Sequence, residues 1–210
     1  MTGENMSDTG EPVYWQVHML IERCAYARAG LIGNPSDGYF GKTIAVIVRN
    51  YQAKVTIYEA PRITIRGGHR DRLEYGSYAE FLEDVHLNGY YGGVRLIKAA
   101  IKKFNDWCVA KDIRLDRTFA IEYDTNMPVR VGLAGSSAIV TATIRALMAY
   151  FHIDIPKPVL PGLILSVELE ELGIGAGLQD RVIQVYENAV FMDFDKERME
   201  RDGYGLYEPL

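Results

Sequence analysis

Residues 128–138, rich in glycine and serine, have the composition of a phosphate-binding loop. They follow a predicted strand and open a predicted helix. Gly132 and Gly135 permit unusual backbone angles and close approach to a ligand. Ser136 or Ser137 can cap the helix, whose dipole and free N–H groups suit a phosphate; a hydroxyl there can also contact phosphate-bound Mg²⁺. A serine-capped helix after an ordinary loop fits equally well, so spacing alone leaves both interpretations open.

A second glycine-rich turn, residues 177–181, brings an acid to the start of a predicted helix. Asp180 there is either a residue favoured by the helix dipole or a carboxylate directed at a substrate hydroxyl, and for an isolated acid the structural interpretation is favoured. Upstream, Glu168, Glu170 and Glu171 form an acidic cluster. On a helix such a cluster is more typical of a solvated face than of a metal site.

A third polar segment, residues 28–37, is a predicted tight loop with Arg28 and Asp37 at its ends. Such a charged pair suits a polar, sugar-like ligand, although loops often carry charged residues without a function. The four histidines form no pattern with a serine or cysteine, and we predict no catalytic role for them.

Two familiar nucleotide-binding patterns are incomplete. Gly41, Lys42 and Thr43 resemble the end of a P-loop, but Ser36 stands where that motif requires a glycine. Residues 173–177 read GxGxG rather than GxGxxG, and they follow a predicted helix instead of a strand. We therefore reject both patterns.

The elements that position these segments follow from hydrophobic periodicity and β-branched runs. The predicted strands are 19–28, 43–48, 54–59, 63–66, 118–124 and 190–194. The predicted helices are 78–86, 93–110, 137–151, 163–172 and 178–188. In the second helix, one apolar face carries Val94, Ile97, Ile101, Phe104 and Cys108. Strands early and helices late predict an α+β fold rather than a doubly wound sheet.

Composition limits the remaining classes. The chain has 210 residues, 48% of them apolar and 24% charged, which predicts a globular protein with a real core. A net charge of -5 argues against nucleic acid as the main partner. No apolar run is long enough to span a membrane, and residues 1–12 lack the features of a signal peptide. Cys24 and Cys108 lie far apart in no metal-binding pattern, which predicts a reduced, cytoplasmic protein.

The three segments, in this order, resemble the GHMP kinase superfamily. The resemblance rests on residues 27–37, 128–138 and 175–180, the central segment being one residue longer than the common form. The strings GNPSDGYFGKT (33–43), NGYYGGVRLIKA (88–99), VGLAGSSAIV (131–140), AGLQDRV (176–182) and MDF (192–194) resemble the glucuronokinase branch. The resemblance covers roughly residues 20–208 and implies a fold like domain 2 of ribosomal protein S5.

This resemblance implies transfer of a phosphoryl group from ATP to the anomeric hydroxyl of D-glucuronate, which gives glucuronate 1-phosphate. Asp180 would orient or deprotonate that hydroxyl, and Arg28 would stabilise the phosphoryl group or hold Asp180. The family's metal-binding glutamate lies eleven or twelve residues before the aspartate; Glu168 fits twelve, and Leu169 stands at eleven.

The remaining residues implied by the resemblance bind ATP, Mg²⁺ or the sugar. ATP phosphates would contact Gly132, Leu133, Ala134, Gly135, Ser136 and Ser137. Ser136 would face Mg²⁺, with Ser137 as the alternative. Asp37 and Asn34 would bind sugar hydroxyls, and Arg130 or Arg181 would hold the uronate carboxylate.

The superfamily normally has a second, C-terminal domain, whereas this sequence stops at Leu210. We therefore expect a flexible tail over residues 1–18 and a GHMP kinase N-terminal domain over 19–210. An apolar surface where the second domain would pack predicts self-association. Two alternatives remain open: a GHMP kinase for another monosaccharide, and a non-catalytic domain that binds a sugar or a protein.

Overall fold

In the computed structural model, residues 5–6, 12–13, 19–68, 71, 83, 92–128 and 131–210 are described. Two short strands, β1 (Asn5–Met6) and β2 (Pro12–Val13), pair antiparallel. The rest of the predicted tail and nearly all of the predicted helix 78–86 lie outside the described residues. Arg130 also lies outside them.

One long strand organises the sheet. β4 (Lys42–Glu59) runs for 18 residues, so the prediction of two separate strands over 43–48 and 54–59 is wrong. The pairing of β4 with β3 (Leu20–Ile32) explains the error, because the register jumps from Tyr26↔Gln52 to Ala27↔Val48. The polar stretch between the two apolar runs is thus an irregularity within a continuous strand rather than a turn.

The other edge of β4 is shared by two strands. β6 (Phe119–Thr125) pairs with its second half and β7 (Ala189–Asp193) with its first half, both antiparallel. β5 (Thr64–Arg66) adds to β6 in parallel, and β8 (Leu206–Pro209) adds to β7 antiparallel. A mainly antiparallel sheet with helices packed on it confirms the α+β prediction.

Two long helices build the main core, one packed against β3 and β4 and the other packed against the first. α1 (Gly93–Val109) buries the predicted Ile97, Phe104 and Cys108, whereas Val94 and Ile101 are only half-buried. α2 (Gly135–Phe151) is buried on nearly all sides, because it lies between α1 and the sheet. Its small side chains, among them Ala138, Ala142 and Ala146, allow this close packing.

The later helices differ more from the predictions. The predicted helix 163–172 is α3 (Leu160–Ser166) followed by a π-helical segment, Val167–Glu171. α4 (Leu178–Tyr186) matches its prediction except at its end. α5 (Lys196–Asp202) and β8 were not predicted, since α5 is short and mostly polar and β8 has only four residues. A 3-10 turn, Ser36–Tyr39, lies in the polar loop between β3 and β4.

Candidate active site

Arg28, near the middle of β3, joins the three segments that the sequence singles out. Its Nε donates to Asp180 Oδ1 at 2.6 Å, and its Nη1 donates to the carbonyl of Gly132 at 3.0 Å. Its backbone N–H donates to the carbonyl of Leu133 at 3.3 Å. One side chain therefore fixes the glycine-rich loop and the carboxylate of α4 relative to each other.

The glycine-rich loop enters α2 through two residues with positive φ. Gly132 has φ +75°, as its residue type predicts, but the second is Ala134 at φ 60° rather than Gly135. Ala134 is the N-cap, so the prediction of a serine cap is wrong. Ser137 is buried and donates to the carbonyl of Ala134 at 3.0 Å, whereas Ser136 lies on the wall of a cavity.

That cavity has a volume of about 380 Å³ and lies where the three segments meet. Its wall includes Arg28, Asp180 and residues 131–136. The N-terminus of α2, a guanidinium group and backbone N–H groups around a concave space form an environment suited to phosphate. Concave, largely preformed spaces of this size are typical of small-molecule sites.

Another wall of the cavity contains residues that were not predicted as part of a site. Asp71 accepts from the backbone N–H groups of Gly68 and Gly93, at 2.9 and 2.8 Å, and from the hydroxyl of Tyr123. Gly92 and Gly93 begin α1 here, and a Cβ at either position would collide with Asp71 or Tyr123. The paired glycines thus allow the start of α1 to pack closely against the cavity wall; the string NGYYGG was the available signal.

Gln184 on α4 is a second missed residue. Its buried amide donates to the carbonyls of Ala134 and Tyr26, at 3.0 and 3.2 Å, and accepts from the hydroxyl of Thr141 at 3.3 Å. It links the N-cap of α2 to β3 and α4. A glutamine between Ile183 and Val185, both buried, was the signal in the sequence.

Burial raises the pKa of Asp180 above its ordinary value, against the opposing effect of the Arg28 guanidinium, and the nearby Asp37 carboxylate raises it further. This carboxylate therefore holds a proton more readily than a free aspartate does. A general base works best when its pKa approaches the working pH, so the shift is in the direction that such a role requires.

Asp37 and Asn34 lie behind Asp180 instead of on the cavity wall. Asp37 Oδ2 accepts from the backbone N–H of Gln179 at 3.0 Å, which caps the first turn of α4. A Cβ on Gly177 would overlap this carboxylate, so the glycine is needed for the contact. Asn34 Oδ1 accepts from the side-chain amide of Gln179 at 3.4 Å. Both residues dock the loop onto α4.

Glu168 and Arg181 form a buried ion pair with each other, also away from the cavity wall. The expectation that the acidic cluster is solvated is wrong for Glu168, while Glu170 is exposed and pairs with Lys103. A cation already neutralises the Glu168 carboxylate, so Glu168 does not fit the metal site expected of it. Nor does Arg181 face the cavity, where a uronate carboxylate would contact it.

ATP and Mg²⁺ can be tested against the donors of the cavity. Backbone N–H groups, a helix N-terminus and Arg28 suit phosphates, and the Ser136 hydroxyl is an oxygen ligand of the kind that Mg²⁺ takes alongside phosphate oxygens and water. In the described ranges, no three His, Cys, Asp or Glu side chains form a ready metal site. The cavity therefore fits a metal that arrives with a nucleotide.

The chain is similar to known proteins over most of its length. Residues 95–188 match the family model of the GHMP kinases N terminal domain. The chain is 43% identical over 93% of its length to glucuronokinase 1 of Arabidopsis thaliana, and 42% identical over 90% to probable glucuronokinase 2 of that species. It covers 55% and 52% of these two proteins, so it spans about half their length.

The fold is also similar to that of solved kinase structures. The structure of Methanococcus jannaschii mevalonate kinase superposes on 93% of this chain and 56% of its own, with a TM-score of 0.64 and 18% identity. None of the helices in the described part of the chain combines the length and apolar composition needed to cross a membrane. Family model, relatives and fold agree that this chain carries the N-terminal domain of the GHMP kinases.

Proposed function

We propose that this chain provides the nucleotide- and sugar-binding part of a kinase that transfers the γ-phosphoryl group of ATP to the anomeric hydroxyl of D-glucuronate. The observation that carries the proposal is the cavity in which Arg28 joins Asp180 to the glycine-rich loop. The glucuronokinase relatives, similar over nearly the whole chain, support the choice of acceptor.

The residues of the cavity divide the work of such a transfer. The backbone N–H groups of residues 132–136 and the N-terminus of α2 hold the phosphates of ATP. Asp180 orients the sugar hydroxyl and accepts its proton as the hydroxyl oxygen bonds to the γ-phosphorus and the bond to the ADP oxygen breaks. Arg28 stabilises charge on the phosphoryl oxygens while keeping Asp180 in place. Mg²⁺, when bound through Ser136, neutralises phosphate charge.

The two cysteines of the chain are free, Cys108 buried and Cys24 half-buried, and burial raises the pKa of both thiols. Unreactive free thiols suit a reducing compartment. We therefore propose that the kinase acts in the cytoplasm.

The test is ADP release by the purified chain with ATP, Mg²⁺ and a panel of glucuronate, galacturonate, glucose and galactose. We expect release with glucuronate and a ³¹P signal from a sugar 1-phosphate. Asp180→Asn should lower the rate by about 10²–10⁴, the usual contribution of a general base. Asp106→Asn, which removes an exposed acid of α1, is the matched control and should leave the rate unchanged.

The panel also separates the alternatives. Release of ADP with a neutral hexose and not with glucuronate would show that the acceptor is the hexose and not glucuronate. Absence of release with every sugar would contradict phosphoryl transfer by this chain on its own.

A further inference from the structure

The turn that carries Asp180 is held from behind by a buried ion pair that the proposed chemistry does not use. The Arg181 guanidinium is 3% exposed and the Glu168 carboxylate 1% exposed, and the two are in direct contact. Glu168 belongs to the π-helical segment Val167–Glu171, and such segments occur frequently at functional sites.

Stability alone does not account for this pair. Burying two charges costs desolvation free energy that their attraction often only balances, and apolar residues of similar size stabilise a core at least as well. A buried pair therefore calls for another reason, and the contacts of the guanidinium with its surroundings supply one.

Arg181 also contacts the turn itself. Its Nη1 donates to the carbonyl of Gly177 at 2.9 Å and lies 3.5 Å from Asp180 Oδ2. Since Arg28 holds Oδ1, the two oxygens of Asp180 lie against two different arginines. Arg28 comes from β3, while Arg181 is anchored by the π-helical segment.

We propose that the Glu168–Arg181 pair is a positioning device that fixes the direction of the Asp180 carboxylate. The inference rests on the proposed function for its purpose, since Asp180 needs a fixed direction only if it acts on a substrate. Glu168 is then the anchor of Arg181 instead of the metal ligand expected from the resemblance. A planar guanidinium suits this role because it donates in several fixed directions at once.

The test follows the ¹³C signal of the Asp180 carboxyl through a pH titration of the full chain, assigned with Asp180→Asn. The charged groups around Asp180 are Arg28 from β3, Asp37 from the 3-10 turn and Arg181 with its partner Glu168. Arg181→Met should raise the pKa of Asp180, because a cation beside it is lost. Glu168→Gln should lower that pKa, because the negative charge of Glu168 then no longer offsets the Arg181 charge beside Asp180.

Glu170→Gln is the matched control: it removes an exposed acid from the same π-helical segment and should leave the Asp180 titration unchanged. If either single variant fails to fold, the variant Glu168→Gln/Arg181→Gln removes both buried charges together, and it should show the raised pKa. Because the titration needs no nucleotide or sugar, its result is independent of whether glucuronate is the acceptor.

Two results would overturn the proposal. An unchanged Asp180 titration in folded Arg181→Met and Glu168→Gln would leave the pair a purely structural element. A weakened Mg²⁺ dependence of ATP binding in Glu168→Gln, with Asp180 unchanged, would make Glu168 a metal ligand.

If the proposal holds, kcat with the accepted sugar falls about tenfold in Arg181→Met while the KM for ATP stays within about twofold, and Arg181→Lys recovers part of the loss.

Discussion

Two arginine–carboxylate pairs flank the same turn, yet they differ in exposure and in what they contact. The Arg28–Asp180 side chains are 14% and 20% exposed and border the cavity, whereas the Arg181–Glu168 side chains are almost completely buried behind it. Arg28 comes from β3 and contacts the glycine-rich loop. Arg181 contacts the turn before α4 and the π-helical segment.

Adjacent residues of the same turn can therefore have different tasks. Asp180 and Arg181 are neighbours on α4, but the helix directs the first to the cavity and the second into the core. At a cavity wall, either side chain of an ion pair can leave the other and bind a ligand, because water or phosphate can replace the lost contact. A pair in the core has no such replacement, which makes it suited to holding geometry.

The largest effect should come from the pair at the wall. Arg28→Lys keeps the charge but cannot reproduce the donors to both Asp180 and Gly132, so we expect kcat/KM for phosphoryl transfer to fall about 10²-fold. Steady-state kinetics would measure this. Arg49→Lys is the control, since Arg49 forms an exposed pair with Glu187, and its kinetics should match the wild-type chain. Equal kinetics for Arg28→Lys would contradict the difference between the two pairs.

A smaller effect concerns pH. Burial raises the pKa of Asp180 above the ordinary 3.8. Asp180 therefore loses its proton, and can act as a base, only at higher pH than an ordinary aspartate. The fall of kcat/KM on the acid side of the pH profile should accordingly lie at higher pH than an ordinary aspartate would give. Between the two pKa values the folded chain binds more protons than the unfolded chain. The Asp180 contribution to the free energy of unfolding therefore falls as pH rises through that window.

Denaturant unfolding at several pH values measures this contribution. Asp180→Asn should remove the fall in stability with rising pH, because asparagine does not titrate. A variant with the same pH dependence as the wild-type chain would show that another group causes it.

The sequence predicted the residues with direct chemical signatures. Asp180, Arg28 and the loop around Gly132 meet at one cavity, and the family resemblance had implied the contact of Arg28 with Asp180. The sheet and the two long helices also followed from periodicity, except where the irregularity within β4 resembled a turn. The prediction of these elements was confirmed because each depends on local residue type and spacing.

The supporting residues could not be predicted in this way. Gln184 and Asp71 form hydrogen bonds with groups that are distant in sequence, and their local sequence signals do not identify those partners. Glu168 looked like part of a solvated cluster because a regular helix was assumed. The Val167–Glu171 segment is instead π-helical, and its packing against α1 and α3 buries Glu168.

The smallest expected effect tests how the polar loop before β4 supports the turn. Gly177→Ala places a methyl group where Asp37 Oδ2 caps α4, so the carboxylate must withdraw and the cap is lost. Loss of a helix cap costs about 1 kcal/mol of unfolding free energy. Gly175→Ala is the matched control, because a Cβ there meets open space, and it should stay within about 0.5 kcal/mol of the wild-type chain. Denaturant unfolding of both variants makes the comparison; equal stability would mean that Asp37 does not support the turn that carries Asp180.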